Sequence, residues 1–96
     1  MKRERMPTHP GGILKRLYLH PRRISTIELA EAVGVSRKTI SKLINECGAV
    51  TPEIALRFSI AFGTSPQLWL NLQQNYDLWR ARRAAKGLKD VRPFAA

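Results

Sequence analysis

The segment at residues 36–45 carries most of the side chains that could recognise another molecule. It holds three cations and four hydrogen-bonding side chains but no acid: Ser36, Arg37, Lys38, Thr39, Ser41, Lys42 and Asn45. Side chains of these two kinds suit the phosphates and the base edges of DNA. A solvated helix face normally mixes both signs of charge, so the absence of acids favours an anionic partner.

Apolar spacing predicts that these side chains lie on a helix. Within TIELAEAVGVSRKTISKLIN (residues 26–45), Ile40 and Leu43 recur at helical spacing and so face inward. The first half has the same pattern, and Gly34 follows it where a helix end needs positive φ. Ser36 can then cap the second helix. The pattern predicts a DNA-binding helix-turn-helix whose second helix enters the major groove N-terminus first. A helical hairpin that binds no nucleic acid remains an alternative.

Residues around this pair extend the predicted DNA-binding surface. Arg22 and Arg23 precede the first helix and Thr26 begins it, so we predict that all three contact phosphates. Ser36 and Asn45, at the two ends of the second helix, are predicted to do the same. The cations and the serine between them can reach base edges, with an arginine the best partner for guanine.

Length and charge limit the class of protein. We place a basic, flexible arm at residues 1–8 and a single helix-turn-helix domain, with the long last helix and a tail, at residues 9–96. The formal net charge of +10 at pH 7 favours nucleic acid first and an anionic membrane surface second. No apolar run is long enough to cross a bilayer and no secretory signal follows the N-terminal charges, so we expect no membrane partner and a cytoplasmic location.

The residue types and their spacing indicate neither a catalytic site nor a metal site. A single cysteine, Cys47, and two histidines, His9 and His20, lack the spacing of a metal site. No nucleophile stands at a motif spacing from a base. We therefore predict that the protein is not an enzyme and carries no metal or other cofactor.

Three further helices are predicted. The first begins near Pro10 and ends at Pro21, with a frayed first turn because Gly11 and Gly12 are poor helix formers. Two more begin at Thr-Pro and Ser-Pro pairs, residues 51–52 and 65–66, which combine an N-cap with a first-position proline.

The fourth and fifth helices differ in pattern. The fourth is apolar nearly all round, which is typical of a helix buried at the centre of a small bundle. The fifth runs to about residue 85. In the loop at residues 46–50, before the fourth helix, Gly48 is available for an unusual backbone angle.

The last helix and the tail carry more apolar surface than one core face needs. Two tryptophans and a tyrosine on the helix, with two apolar residues in the tail, form the predicted homodimer interface: Trp69, Tyr76, Trp79, Val91 and Phe94. Pro93 limits any tail strand to an edge or an added strand. Docking of the tail on its own domain is an equally open alternative.

Four stretches together resemble the HigA family of antitoxins, within the larger phage-repressor-like class. They are THPGGIL, the helix-turn-helix, VTPEIALRFSIAFGTSP and WLNLQQNYDLW, and the resemblance covers residues 8–92. It implies an all-α, five-helix bundle of the phage-repressor-like helix-turn-helix kind, with a short extended C-terminal tail. Glu46-Cys47-Gly48 departs from the Gly-Lys-Arg-like loop that is usual in the family.

The resemblance also implies partners. They are a second copy of the chain, bound through the last helix and tail, a palindromic double-stranded operator DNA, and a small ribosome-dependent ribonuclease toxin of the HigB kind encoded beside it. Parts of the first and last helices would form the surface that binds the toxin. Autorepression of the operon would follow from operator binding.

Two other functions stay open on the residues alone. Toxins of this class are basic, so a chain at +10 gains little from overall attraction, and a stand-alone dimeric transcription regulator without a toxin is the runner-up. An RNA-binding module is possible on charge. Its exposed aromatics, however, lie on the last helix rather than among the basic side chains, where stacking on bases would need them.

Overall fold

The computed structural model describes residues 6–94, which form five helices and no strand. Helix α1 is continuous and has three parts, Pro10–Ile13, Leu14–Leu19 and His20–Arg22. Then follow α2 (Thr26–Val33), α3 (Arg37–Ile44), α4 (Pro52–Phe62) and α5 (Pro66–Ala84), and the tail has a 3₁₀ turn at Leu88–Asp90. The predicted all-α, five-helix architecture is confirmed. Residues 1–5 of the predicted basic arm lie outside the described residues.

Side-chain caps explain where four of the helices begin. A hydroxyl accepts a hydrogen bond from the backbone N–H three residues on at Ser25, Ser36, Thr51 and Ser65. Each cap satisfies one of the N–H groups that a helix start leaves without a partner. At Ser25 the cap is a complete capping box, because Glu28 Oε1 also accepts from the Ser25 N–H at 2.9 Å. These starts were predictable because the capping signal is local.

The core is centred on Trp69 of α5. Its ring centroid lies 5.1 Å from that of Tyr18 on α1 and 5.1 Å from that of Phe58 on α4, and the side chain is fully buried. The indole Nε1 donates to Thr64 Oγ1 at 2.8 Å. The prediction that Trp69 belongs to a dimer interface is therefore wrong, because its own domain covers it on all sides.

Helix α4 buries one face only. Ile54, Ala55 and Phe58 are buried, whereas Leu56 is 55% and Ile60 is 85% exposed. The expectation of a helix buried all round is wrong, because α4 packs chiefly against α5 and α2 and leaves its remaining side to solvent.

Helix α1 differs from its prediction at both ends. Its first turn is not frayed: Gly11 and Gly12 are buried, and a Cβ on Gly11 would overlap the Leu43 carbonyl at the end of α3. At its other end the helix runs past Pro21 to Arg22. The π-helical middle part, in which the His20 N–H bonds to the Lys15 carbonyl, opens the hydrogen-bond ladder before the proline.

The tail makes no part of the core. Every residue from 81 to 94 is exposed, and Val91 and Phe94 are 69% and 100% exposed. Docking of these two side chains on their own domain is therefore not seen. Within residues 6–94, no helix has the length and apolar character that spanning a membrane requires.

Candidate nucleic-acid interface

Helix α3 separates its side chains cleanly into two faces. Ile40 and Leu43 are 0% and 1% exposed and pack in the core. The opposite face presents the predicted polar side chains to solvent: Arg37, Lys38, Ser41, Lys42 and Asn45. Within residues 6–94 none of these five side chains has a hydrogen-bond or ion-pair partner. The structure thus places a polar face with three cations and no acid where it can meet another molecule.

The start of α3 is held by two hydroxyls. Ser36 Oγ accepts from the Thr39 N–H at 3.1 Å, and the two hydroxyl oxygens lie 2.9 Å apart. Thr39 is half-buried, and its hydroxyl supports the cap. Of this pair, the exposed Ser36 is the better placed to meet a ligand.

The turn before α3 is closed by a side chain from α4. Gly34 has φ 71°, and its N–H and that of Val35 bond to the Ala30 carbonyl at 2.9 and 3.1 Å. Arg57 Nη1 donates to the carbonyl of Val33 at 2.6 Å. The same guanidinium pairs with Glu53 at 2.9 Å, at the i,i+4 spacing that brings two helical side chains together. The bond to the turn has no comparable signal in the sequence.

His9 joins α1 to the loop behind α3, a role the sequence did not reveal. Its Nδ1 accepts from the Gly11 N–H at 2.9 Å and caps α1, and its Nε2 lies 3.0 Å from the Gly48 carbonyl. Because Nδ1 accepts, the ring proton is on Nε2, which donates to Gly48. Histidine is not a usual cap residue, and its partner at residue 48 is remote in sequence. The one local sign of a cap at His9 is its position directly before Pro10, a residue that favours the first position of a helix.

The unusual backbone angle of this loop belongs to a different residue from the one expected. Glu46 has φ 62°, whereas Gly48 is not at positive φ. Glu46 follows the C-cap of α3 at Asn45, where a left-handed residue commonly ends a helix. The family's usual glycine would meet this demand without strain.

The backbone-contact candidates lie at the surface near the start of α2. The guanidinium of the exposed Arg22 lies 5.4 Å from the Tyr18 ring centroid and 5.5 Å from that of Phe62, and these contacts favour its present orientation. Arg23 is exposed and has φ 54°. Thr26 is half-buried in the first turn of α2.

The remaining interface candidates on α5 are partly exposed. Tyr76 lies edge-on to the His9 ring, with centroids 4.7 Å apart. Trp79 is stacked under Arg83 at 5.0 Å, and its buried Nε1 finds no hydrogen-bond acceptor among the residues that the structure describes. Another side of α5 forms an open groove whose lining mixes Leu70 and Leu78 with polar side chains, among them Gln74 and Asp77. Part of α5 is therefore available to a partner chain.

Known proteins share this architecture. A helix-turn-helix family model matches residues 14–69. The chain is 42% identical over 94 residues to antitoxin HigA-1 of Vibrio cholerae serotype O1, a match that covers 97% of this chain and 89% of the relative.

Solved structures agree with this relationship. The antitoxin GraA superposes with a TM-score of 0.89 at 34% identity, over 95% of this chain and 100% of its own. The Pseudomonas aeruginosa antitoxin HigA, solved with the higBA promoter, superposes with a TM-score of 0.84 at 34% identity, over 93% of this chain and 99% of its own. Since the sequence match and both superpositions span nearly all of each chain, this chain belongs to the HigA family of helix-turn-helix antitoxins.

Proposed function

We propose that this chain is a DNA-binding antitoxin that represses its own operon and neutralises a small ribonuclease toxin encoded beside it. The observation that carries the DNA-binding part is the exposed, acid-free face of α3, whose cations have no partner within residues 6–94. The likeness to HigA-1 and to the HigA structure with its promoter supports the antitoxin and autorepressor parts.

The DNA contacts divide by position on α3. Arg37 and Lys38, in the first turn, and Ser41 and Lys42, one turn later, face solvent and would reach base edges. An arginine that donates twice to guanine O6 and N7 makes the most specific of these contacts. Asn45 and Ser36, at the two ends, would bind phosphates. The N-terminus of α2 at Thr26, with Arg22 and Arg23 before it, would add sequence-blind attraction.

A homodimer would present two such helices to a palindromic operator. The exposed side chains of Val91 and Phe94 and the partly exposed Tyr76 and Trp79 supply apolar surface for it. Two-fold symmetry would set the α3 helices roughly 34 Å apart, one turn of DNA. The stand-alone regulator remains the second candidate, since every feature that carries DNA binding would serve it equally.

One experiment tests both parts of the proposal. The chain is co-expressed with the reading frame beside its gene, and purified chain is titrated onto the DNA upstream of the pair and onto scrambled DNA. We expect growth rescue and preferential binding of the upstream DNA. The double variant Arg37→Ala/Lys38→Ala should lose the preference and keep the rescue. Binding without rescue would favour the stand-alone regulator, and rescue that fails only in the folded double variant would move the toxin site onto α3.

A further inference from the structure

Helix α4 lies outside the DNA-binding face, yet one of its side chains reaches the turn of the helix-turn-helix. The last carbonyls of α2 have no partner inside their own helix. Arg57 Nη1 donates to one of them, that of Val33, at 2.6 Å. A cation is favoured at this end of a helix because the carbonyl dipoles point toward it.

The guanidinium that reaches the turn is itself held in place. Its Nε and Nη2 both donate to Glu53 Oε2, at 3.1 and 2.9 Å. Glu53 and Arg57 are one helical turn apart on α4, so the rigid helix fixes the starting point of both side chains. A planar guanidinium can serve the carboxylate and the carbonyl at once, whereas an ammonium cannot reproduce this forked geometry.

The turn leaves room for this side chain at Gly34. A Cβ built on Gly34 would lie 2.9 Å from Arg57 Nη1, closer than real contacts allow. A side chain at Gly34 would therefore displace the guanidinium from its present position, so the residue that ends α2 at positive φ also leaves the space that Arg57 Nη1 occupies.

We propose that Arg57 is a positioning residue for DNA recognition, which fixes the turn and thereby the angle at which α3 meets the DNA. Val33 stands three residues before Ser36, the cap of α3, so a displacement of its carbonyl shifts the end of α3 that carries Arg37 and Lys38. The inference rests on the proposed DNA-binding function. This role predicts different effects on two parts of the affinity for DNA. Contacts to base edges depend on the exact position of α3, whereas the attraction to phosphates does not.

The test compares operator and scrambled DNA for Arg57→Lys, which keeps the positive charge and loses the fork. We expect the Kd for the operator to rise about tenfold, the size of one lost base contact. The Kd for scrambled DNA should stay within about twofold at the same salt concentration, because the net charge is unchanged. Arg16→Lys, at an exposed position on α1, is the matched control and should change neither value.

A melting curve of each variant shows whether it is folded at the temperature of the titrations. All titrations are run well below the lowest melting midpoint, so loss of folded protein cannot imitate loss of specificity. Should Arg57→Lys not fold, the substitution Glu53→Gln provides the test, because it weakens the support of the guanidinium and leaves the bond to Val33 possible. It also removes one negative charge, which strengthens binding to both DNAs alike, so the ratio of the two Kd values is compared, and we expect a smaller loss of preference for the operator. Equal losses on both DNAs, or no loss on the operator, would overturn the positioning role. A native chain that binds both DNAs alike would instead refute the proposed function, and this inference with it.

Discussion

The imidazole of His9 connects the first helix to the loop that follows α3, with Nε2 3.0 Å from the Gly48 carbonyl. The same ring caps α1 through Gly11 and lies edge-on to Tyr76 of α5. A single side chain, 3% exposed, therefore joins three parts of the bundle at the C-terminal end of α3.

Replacement of His9 should destabilise the domain. His9→Ala removes a helix cap and leaves the half-buried Gly48 carbonyl without its donor, and we expect the free energy of unfolding to fall by about 1–3 kcal/mol. His9→Asn should recover part of the loss, because asparagine is a good cap but is too short to replace the whole imidazole. Urea unfolding measures both. His20→Ala, at an exposed position, is the control, and an equal effect there would contradict the assigned role.

Gly11 and Gly12 should respond to alanine with opposite signs. At Gly11 the added Cβ would overlap the Leu43 backbone, which cannot move cheaply, so Gly11→Ala should destabilise by about 2 kcal/mol or more. At Gly12 the Cβ would meet mainly the far ends of Arg16 and Glu46, at 3.1 and 3.3 Å. Gly12→Ala should therefore be neutral or stabilise by up to about 1 kcal/mol through helix propensity. Thermal melting measures both variants, and a Gly11→Ala variant that melts no lower than Gly12→Ala would refute the close approach of α1 to α3.

The left-handed residue behind α3 should tolerate glycine better than glutamate. Glu46 has φ 62°, so Glu46→Gly should raise the free energy of unfolding by about 0.5–1 kcal/mol. Glu31→Gly removes the same charge from the middle of α2, where glycine should cost about 1 kcal/mol. Urea unfolding of the two variants gives the difference. A loss of stability in Glu46→Gly would show that contacts of its side chain outweigh the backbone strain.

Arg37 and Arg23 should differ in what they contribute to DNA binding. Arg37→Ala should weaken operator binding by about 1–3 kcal/mol and relax the choice at one base pair per half-site. Arg23→Asn should weaken all sequences alike and lower the salt slope by about one, and asparagine tolerates the left-handed backbone there. Arg22 is a less suitable residue for this phosphate-contact test, because its side chain also packs on Tyr18 and Phe62. Titrations at several salt concentrations separate the two roles. If Arg37→Ala leaves base preference untouched, Arg37 binds phosphate instead.

Removal of the tail should affect assembly more than folding. Truncation after Gly87 deletes Val91 and Phe94, which are exposed, so the melting of the dilute monomer should hardly change. Sedimentation at micromolar concentration should show a dimer for the full chain and a weaker dimer after truncation, because apolar surface is lost from the interface. A full chain that sediments as a monomer would end the dimer hypothesis. A truncated chain that dimerises as well as the full one would place the interface on α5 alone.

Much of the proposed DNA-binding face could be predicted because its sequence signals are local. The spacing of Ile40 and Leu43 assigns the inner side of α3, and Ser36 marks its start, so the exposed positions of Arg37 and Lys42 follow from a helical period alone. The starts of α2, α4 and α5 were predictable for the same reason, since a cap acts within three residues.

Only the tertiary structure decided which apolar and polar groups meet across the chain. Trp69 and Trp79 both lie on α5, yet packing of α1 and α4 buries the first completely and leaves the second partly exposed. The bonds from Arg57 to Val33 and from His9 to Gly48 join residues 24 and 39 positions apart. A helical period reports the direction of each side chain around its own axis, but it contains no information on which neighbour lies there. For that reason the residues proposed to read DNA could be predicted from the sequence, while the bonds that Arg57 and His9 make to the elements on either side of α3 could not.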